Sequence, residues 1–179
     1  MGFSLCLMCV RSGDGRPVDP ARSGLSIGGK THYTDGPWLV VKHADAASYP
    51  SLMDDHEKGC LDELSALNGE ALCVVGQSNA DQFMYEYSRG GKVVRKLVGD
   101  DGWRVVLGEP QPWEAPLLGP DKLAYELSLL EKEDDSTRLR EIFAAKKFRI
   151  GDRYPRPGAG LVLLALKGHG LTQDPLQRP

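Results

Sequence analysis

Residues 24–31, GLSIGGKT, have the spacing G-x-x-x-x-G-K-[ST] of a phosphate-binding loop. That chemistry needs a buried strand before the loop and a helix after it, so that free helix amides and a lysine meet the phosphates. Here Val18-Asp19-Pro20-Ala21-Arg22-Ser23 precedes it, which is poor strand material, and His32-Tyr33-Thr34-Asp35-Gly36-Pro37 leaves no length for a helix. No apolar strand ending in Asp follows to hold magnesium. Residues 25–33 are expected to form a glycine hairpin, and nucleotide binding through Lys30 lacks its flanks. Cys6 and Cys9 stand at C-x-x-C spacing, which suits a zinc half-site or a dithiol. On a strand, residues three apart face opposite sides, so the two thiols could not share an ion. A redox pair would also want a helix start. Cys60 and Cys73 stand alone, and the four cysteines read as reduced, buried thiols. Asp54-Asp55-His56-Glu57 carries ligand-type atoms, yet acids of this kind also suit a helix's first turn. His43 lies near Asp45 without a nucleophile, since no serine occupies a nucleophile elbow. His32 and His169 have no neighbours at catalytic spacing. No catalytic residue, metal or cofactor is assigned, and an enzyme would have to assemble His43, His56 or Asp55 in three dimensions.

The remaining chemistry is that of contact. Tyr85 and Tyr87, with Trp103 and Trp113, bury much area for few lost rotamers, which suits a core and equally suits an interface anchor. Glu109-Pro110-Gln111-Pro112-Trp113 is held extended, because a residue before proline avoids the helical region. Such an arm either latches Trp113 onto its own core or presents it to a partner. The binding candidates are therefore Trp113, Trp103, Tyr85, Tyr87 and Glu109.

These residues sit in the best-specified passage, residues 82–114. Phe83, Tyr85 and Tyr87 alternate with Met84 and Glu86 as a half-buried strand requires. Arg89-Gly90-Gly91 supplies a hairpin turn, and Gly99-Asp100-Asp101-Gly102 a second. Residues 92–98 and 103–107 complete a three-strand meander. The pattern Y-x-Y-x-x-x-G-K-x-V-R, then D-G-W and G-E-P-x-P-W-E, runs through Tyr85, Tyr87, Gly91, Lys92, Val94, Arg95, Asp101, Gly102, Trp103, Gly108, Glu109, Pro110, Pro112, Trp113 and Glu114. It resembles a recurring core of small uncharacterised bacterial proteins, and loosely resembles immunity proteins, which block a toxin by binding it. The resemblance covers about a fifth of the 179 residues. It implies a role in binding and transfers no site residue.

Other elements position this passage. Residues 3–10 form a nearly continuous apolar run, expected as a strand buried on both faces. Residues 38–43 and 71–76 read as further strands, with a polar loop over residues 11–23. Cys60, Leu61, Leu64 and Leu67 fall at helical spacing before the stop Asn68-Gly69. Pro120 opens a helix carrying Leu123, Leu127 and Leu130. A second starts near Asp134, with Leu139, Ile142 and Phe143 on its apolar side and Lys146, Lys147 and Arg149 complementing its dipole. Residues 161–166 are expected as a final apolar strand, and 168–179 as a flexible tail.

Together these predict one α+β domain over residues 1–167, a mainly antiparallel sheet with about three helices on one face. A hydrophobic content of 41% and a charged content of 26% are ordinary for a globular chain. The net charge of −3 argues against a broad nucleic-acid footprint. No apolar run approaches the ~20 residues of a membrane helix, and no basic region precedes residues 3–10, so a cytoplasmic location is expected. The functional expectation is a non-catalytic protein-binding or regulatory module with a protein partner. A small-molecule-binding protein or hydrolase is the alternative.

Overall fold

The computed structural model describes residues 4–25, 30–43, 60–130 and 133–175. Its strands are β1 (Ser4–Ser12), β2 (Thr31–Asp35), β3 (Trp38–His43), β4 (Gly69–Gln77), β5 (Gln82–Arg89), β6 (Lys92–Gly99) and β7 (Trp103–Gly108). They form one seven-stranded sheet in the order β2-β3-β1-β4-β5-β6-β7, antiparallel at every step. Among the described residues the helices are α1 (Cys60–Asn68), α2 (Pro120–Ser128), α3 (Glu133–Ala145) and α4 (Leu161–Gly168), with a single 3-10 turn at Pro20–Arg22 and a 3-10 helix over Pro112–Leu118. The chain is α+β, and none of these helices is long and apolar enough to cross a membrane.

Two layers cover the sheet, and this explains the unbroken apolar run of β1. Leu5, Leu7 and Cys9 face α3, α4 and the 3-10 helix, while Cys6, Met8 and Val10 face the layer that includes α1. β4 is divided in the same way, with Leu72 and Val74 on the first face and Ala71, Cys73 and Val75 on the second. A strand with two dry faces has no reason to alternate polar and apolar residues. The expectation of about three helices on one face is corrected by α1, whose Leu61 and Leu64 pack on the opposite side. Cys6 and Cys9 do point to opposite faces, and both are free thiols.

The meander over residues 82–107 is present, closed by Gly90 and Gly91 at φ 55° and 80°. Residues 161–166 are not a strand. They belong to α4, where Val162, Ala165 and Leu166 fall at spacings of three and four and share one buried face. Leucine and alanine favour helix, and a short apolar run does not by itself choose between helix and strand. Lys30 leads directly into β2, so the lysine of the phosphate-loop pattern is followed by a strand and not by the helix that the chemistry requires. Residues 26–29 of that pattern lie outside the described residues, as do Asp54, Asp55, His56 and Glu57.

The segment expected as a flexible tail is packed through residue 175. Trp38 Nε1 donates to the His169 carbonyl at 2.9 Å, Leu171 is buried, and the Asp35 carboxylate accepts from the Thr172 and Gln173 amides at 2.7 and 2.8 Å. These partners stand more than 130 positions away in sequence. Local composition reads as a tail because nothing nearby satisfies it.

Candidate functional site

Four of the five binding candidates lie together, and they lie inside. Tyr85, Tyr87, Trp103 and Trp113 are each no more than 7% exposed and share the face beneath the helical layer. Tyr85 and Trp113 meet at 5.0 Å between ring centroids, Phe83 and Trp103 at 6.2 Å, and Trp103 stacks on Phe148 at 4.5 Å. Trp113 is not at the end of an extended arm. It sits in the 3-10 helix that Pro112 opens, latched onto its own sheet. In the folded chain these aromatics form core and leave no ring free to anchor a partner.

Several polar atoms of this layer pair with one another, whereas among the described residues Trp113 Nε1 is buried without a hydrogen-bond partner. The Tyr85 hydroxyl and His169 Nε2 are 2.7 Å apart, and Tyr87 donates to Glu70 Oε2 at 2.9 Å. Arg11 also pairs with Glu70. Burial lowers His169 to about 4, so its ring is neutral at pH 7. Burial likewise pushes Tyr87 up to about 12, assisted by its bond to Glu70. Tyr85 rises further for the same leading reason. Burial opposes the charge on Glu70, but the bonds from Arg11 and Tyr87 outweigh it and hold the carboxyl below its ordinary value. Both phenols therefore keep their protons, the His169 ring stays uncharged, and the network ties residues 169–175 to the sheet.

Glu109 alone is on the surface, with a side chain 86% exposed. It stands at the rim of a cleft of about 450 Å³ lined also by Val106 and Gly108 of β7 and by residues 147–150. A second cleft of about 480 Å³ lies among Pro110, Pro112 and Lys146. Local chemistry builds both walls. Gly108 has φ 79°, and a Cβ there would collide with the Val94 carbonyl oxygen, so the reversal after β7 requires glycine. Arg95 donates to the Gly108 carbonyl at 2.7 Å and to both oxygens of Glu114 at 3.0 and 2.6 Å. Glu114 in turn accepts from the Gln111 amide at 2.8 Å, opening the 3-10 helix. One buried ion pair thus fixes the arm that carries Glu109.

The opposite wall begins where α3 stops. Lys146 adopts φ 52°, and the Lys147 amide reaches back to the Ile142 carbonyl at 3.3 Å, a Schellman-type end. The chain then crosses the outer side of β7. Gly151 N donates to Trp103 O at 2.8 Å, and Trp103 N donates to Asp152 O at 2.9 Å. Asp152 is held by the Arg138 guanidinium at 2.7 Å and the Arg149 amide at 2.7 Å. Residues 151 and 152 therefore occupy the outer side of β7 at Trp103.

A third cleft of about 370 Å³ gathers Asp81, Asp100, Asp101, Arg153, Tyr154 and Arg156 at the far end of the sheet. Its arginines are engaged, Arg153 with Asp101 at 2.8 Å and Arg156 with the fully buried Glu126 at 3.6 Å, and Lys122 also meets Glu126 at 2.8 Å. Among the described residues no three His, Cys, Asp or Glu side chains converge as metal ligands do.

Sequence reasoning named Glu109 by its proline frame, and Glu109 borders the cleft, but that reasoning read Lys147 and Arg149 only as partners of a helix dipole. It did not find Ile150 or Leu107, exposed by 65% and 52%. The available signal was an apolar residue inside a basic post-helix turn. No family model matches the chain, and no curated protein or solved structure matches it.

Proposed function

We propose that this chain is a non-catalytic protein-binding module, immunity-like in working by occupation of a partner, and that it binds along the free side of β7. The observation that carries this is the end of the sheet itself. β7 has no strand on its outer side among the described residues, and Leu107 and Ile150 stand exposed on either flank. A bare strand edge is an invitation to pair, and natural sheets normally cover or blunt it. Large apolar side chains at such an edge supply the desolvated contacts on which binding energy concentrates. The aromatic layer supports this role from beneath by packing Trp103, at the start of β7, against Phe83 and Phe148.

Affinity capture from the host lysate tests the reading, with the native chain and a Leu107→Glu/Ile150→Glu variant as baits. A stoichiometric partner on the native chain, absent from a variant that melts at the same temperature, is the expected result. A partner held equally by both baits, or no partner on either, overturns it.

A further inference from the structure

We propose that the occupant of this edge is an extended acidic segment of the partner, running beside residues 105–107 as an eighth strand. The inference rests on the binding role assigned to β7 above and adds how the partner is recognised. Three observations carry it.

The first is that the outer side of β7 already pairs at one end. Residues 151 and 152 take the amide and carbonyl of Trp103 in the manner of a neighbouring strand, then turn away. Beyond a β-bulge at Arg104, the outer side of β7 continues along residues 105–107, about 10 Å of backbone, before Gly108 reverses the chain. The second is space. A cleft of about 450 Å³ lies beside the end of β7, lined by Val106, Gly108 and Phe148 among others. An added strand lies ~4.8 Å from its neighbour and sends alternate side chains to the two faces. One set would reach this cleft, and the other would lie over exposed Leu107. Pro110 and Pro112 keep the chain's own next residues from filling the position.

The third is charge. Lys147, Arg149 and Arg104 border the strand and are exposed, against Glu109 as the acid of the rim. Arg104 is paired with Asp100 at 2.8 Å, whereas Lys147 reaches Glu109 only at 4.0 Å with both side chains half-exposed or more. A loose exposed pair contributes little and exchanges readily for a better acceptor. The same cations disfavour a second copy of this chain, because edge-to-edge pairing would set like charges against one another. Acids on an incoming strand would meet them favourably.

The experiment uses fluorescein-labelled heptapeptides of alternating Glu and Val, of alternating Lys and Val, and of Glu and Val with a central Pro. Binding is followed by anisotropy and by amide shifts of the full chain. The Glu/Val peptide is expected to bind, to move amides of residues 104–109 and 147–151, and to exceed the Lys/Val peptide by at least about tenfold. Lys147→Glu/Arg149→Glu, both surface changes, should invert that preference, and the proline should abolish binding by removing a ladder donor. Equal binding of the acidic and basic peptides, undiminished binding of the proline peptide, shifts elsewhere or no binding at millimolar peptide would each overturn the proposal. A dimer in sedimentation that Ile150→Glu dissolves would overturn it in favour of a second copy. A captured partner lost on Leu107→Glu/Ile150→Glu but kept by Lys147→Glu/Arg149→Glu, and not displaced by the Glu/Val peptide, would leave the binding role standing and remove this strand-addition mode.

Discussion

Arg95 and Glu114 are each about 1% exposed at the side chain, meet as a two-pronged pair, and hold the end of β7 to the 3-10 helix. Removing one member strands the other charge in the core, which costs about 3–5 kcal/mol, a large part of the roughly 5–15 kcal/mol that holds a typical domain. Arg95→Met or Glu114→Leu alone should therefore lower the urea midpoint sharply, while the double variant should recover much of it. His169 offers a prediction in pH. Its folded pKa of about 4 lies below the ordinary 6.5, so the unfolded chain takes up the proton first. The stability tied to a neutral His169 is complete above pH 6.5 and is lost as pH falls toward 4, by up to about 3 kcal/mol. Urea titrations at pH 7, 5.5 and 4 should show this slope, and His169→Gln should flatten it. Glu86, raised by burial despite Lys96 beside it, titrates with the opposite sign, because a carboxyl with a raised folded pKa loses stability as pH rises. The comparison with the His169 variant separates the two.

At the scale of elements, glycines set what each strand end allows. A Cβ on Gly108 would strike the Val94 carbonyl oxygen, and one on Gly168 would strike the Trp113 side chain. Gly108→Ala adds the strain of φ 79° to the clash, so it should cost more than ~2 kcal/mol and drop the melting temperature by several degrees. Truncating the chain after Gly168 should uncover Trp38, Tyr85 and Tyr87, seen as dye binding and a weakened near-ultraviolet signal. Much of this level was legible in the sequence. The strands of residues 82–107 announce themselves through alternation at Phe83, Tyr85 and Tyr87 and through the turns at Gly90-Gly91 and Asp100-Asp101. α4 was not legible, because Leu161 to Leu166 is apolar throughout and its period appears only once Val162, Ala165 and Leu166 have a layer to face. Nor was the packing of residues 169–175, whose partners Trp38 and Asp35 lie at the other end of the chain. The motif Y-x-Y, V-R, D-G-W and G-E-P-x-P-W-E resolves here into structural parts, chiefly the Arg95–Glu114 pair, the Gly108 reversal and the buried rings.

At the scale of the molecule, the candidate site was half visible. Glu109 could be named because prolines frame it, but the cleft it borders joins β7 to residues 147–150, some 40 positions later in the chain. Composition reports a net charge of −3 and hides a local basic border at Lys147, Arg149 and Arg104. Binding to the free side of β7 should accordingly weaken with salt, by an amount that Lys147→Glu/Arg149→Glu removes. Affinity of the captured partner measured at low and high ionic strength checks this.

Cys6 and Cys73 lie under one covering layer and Cys9 under the other, each at most 2% exposed. Burial raises the Cys9 thiol, and a bond from Cys6 together with burial raises Cys73, so the reactive thiolate is scarce twice over. The native chain should resist alkylation wherever the two layers stay closed. With Cys60 replaced by serine, the three thiols become an internal clock. Their order of labelling under mild denaturant would report which side of the sheet unseals first.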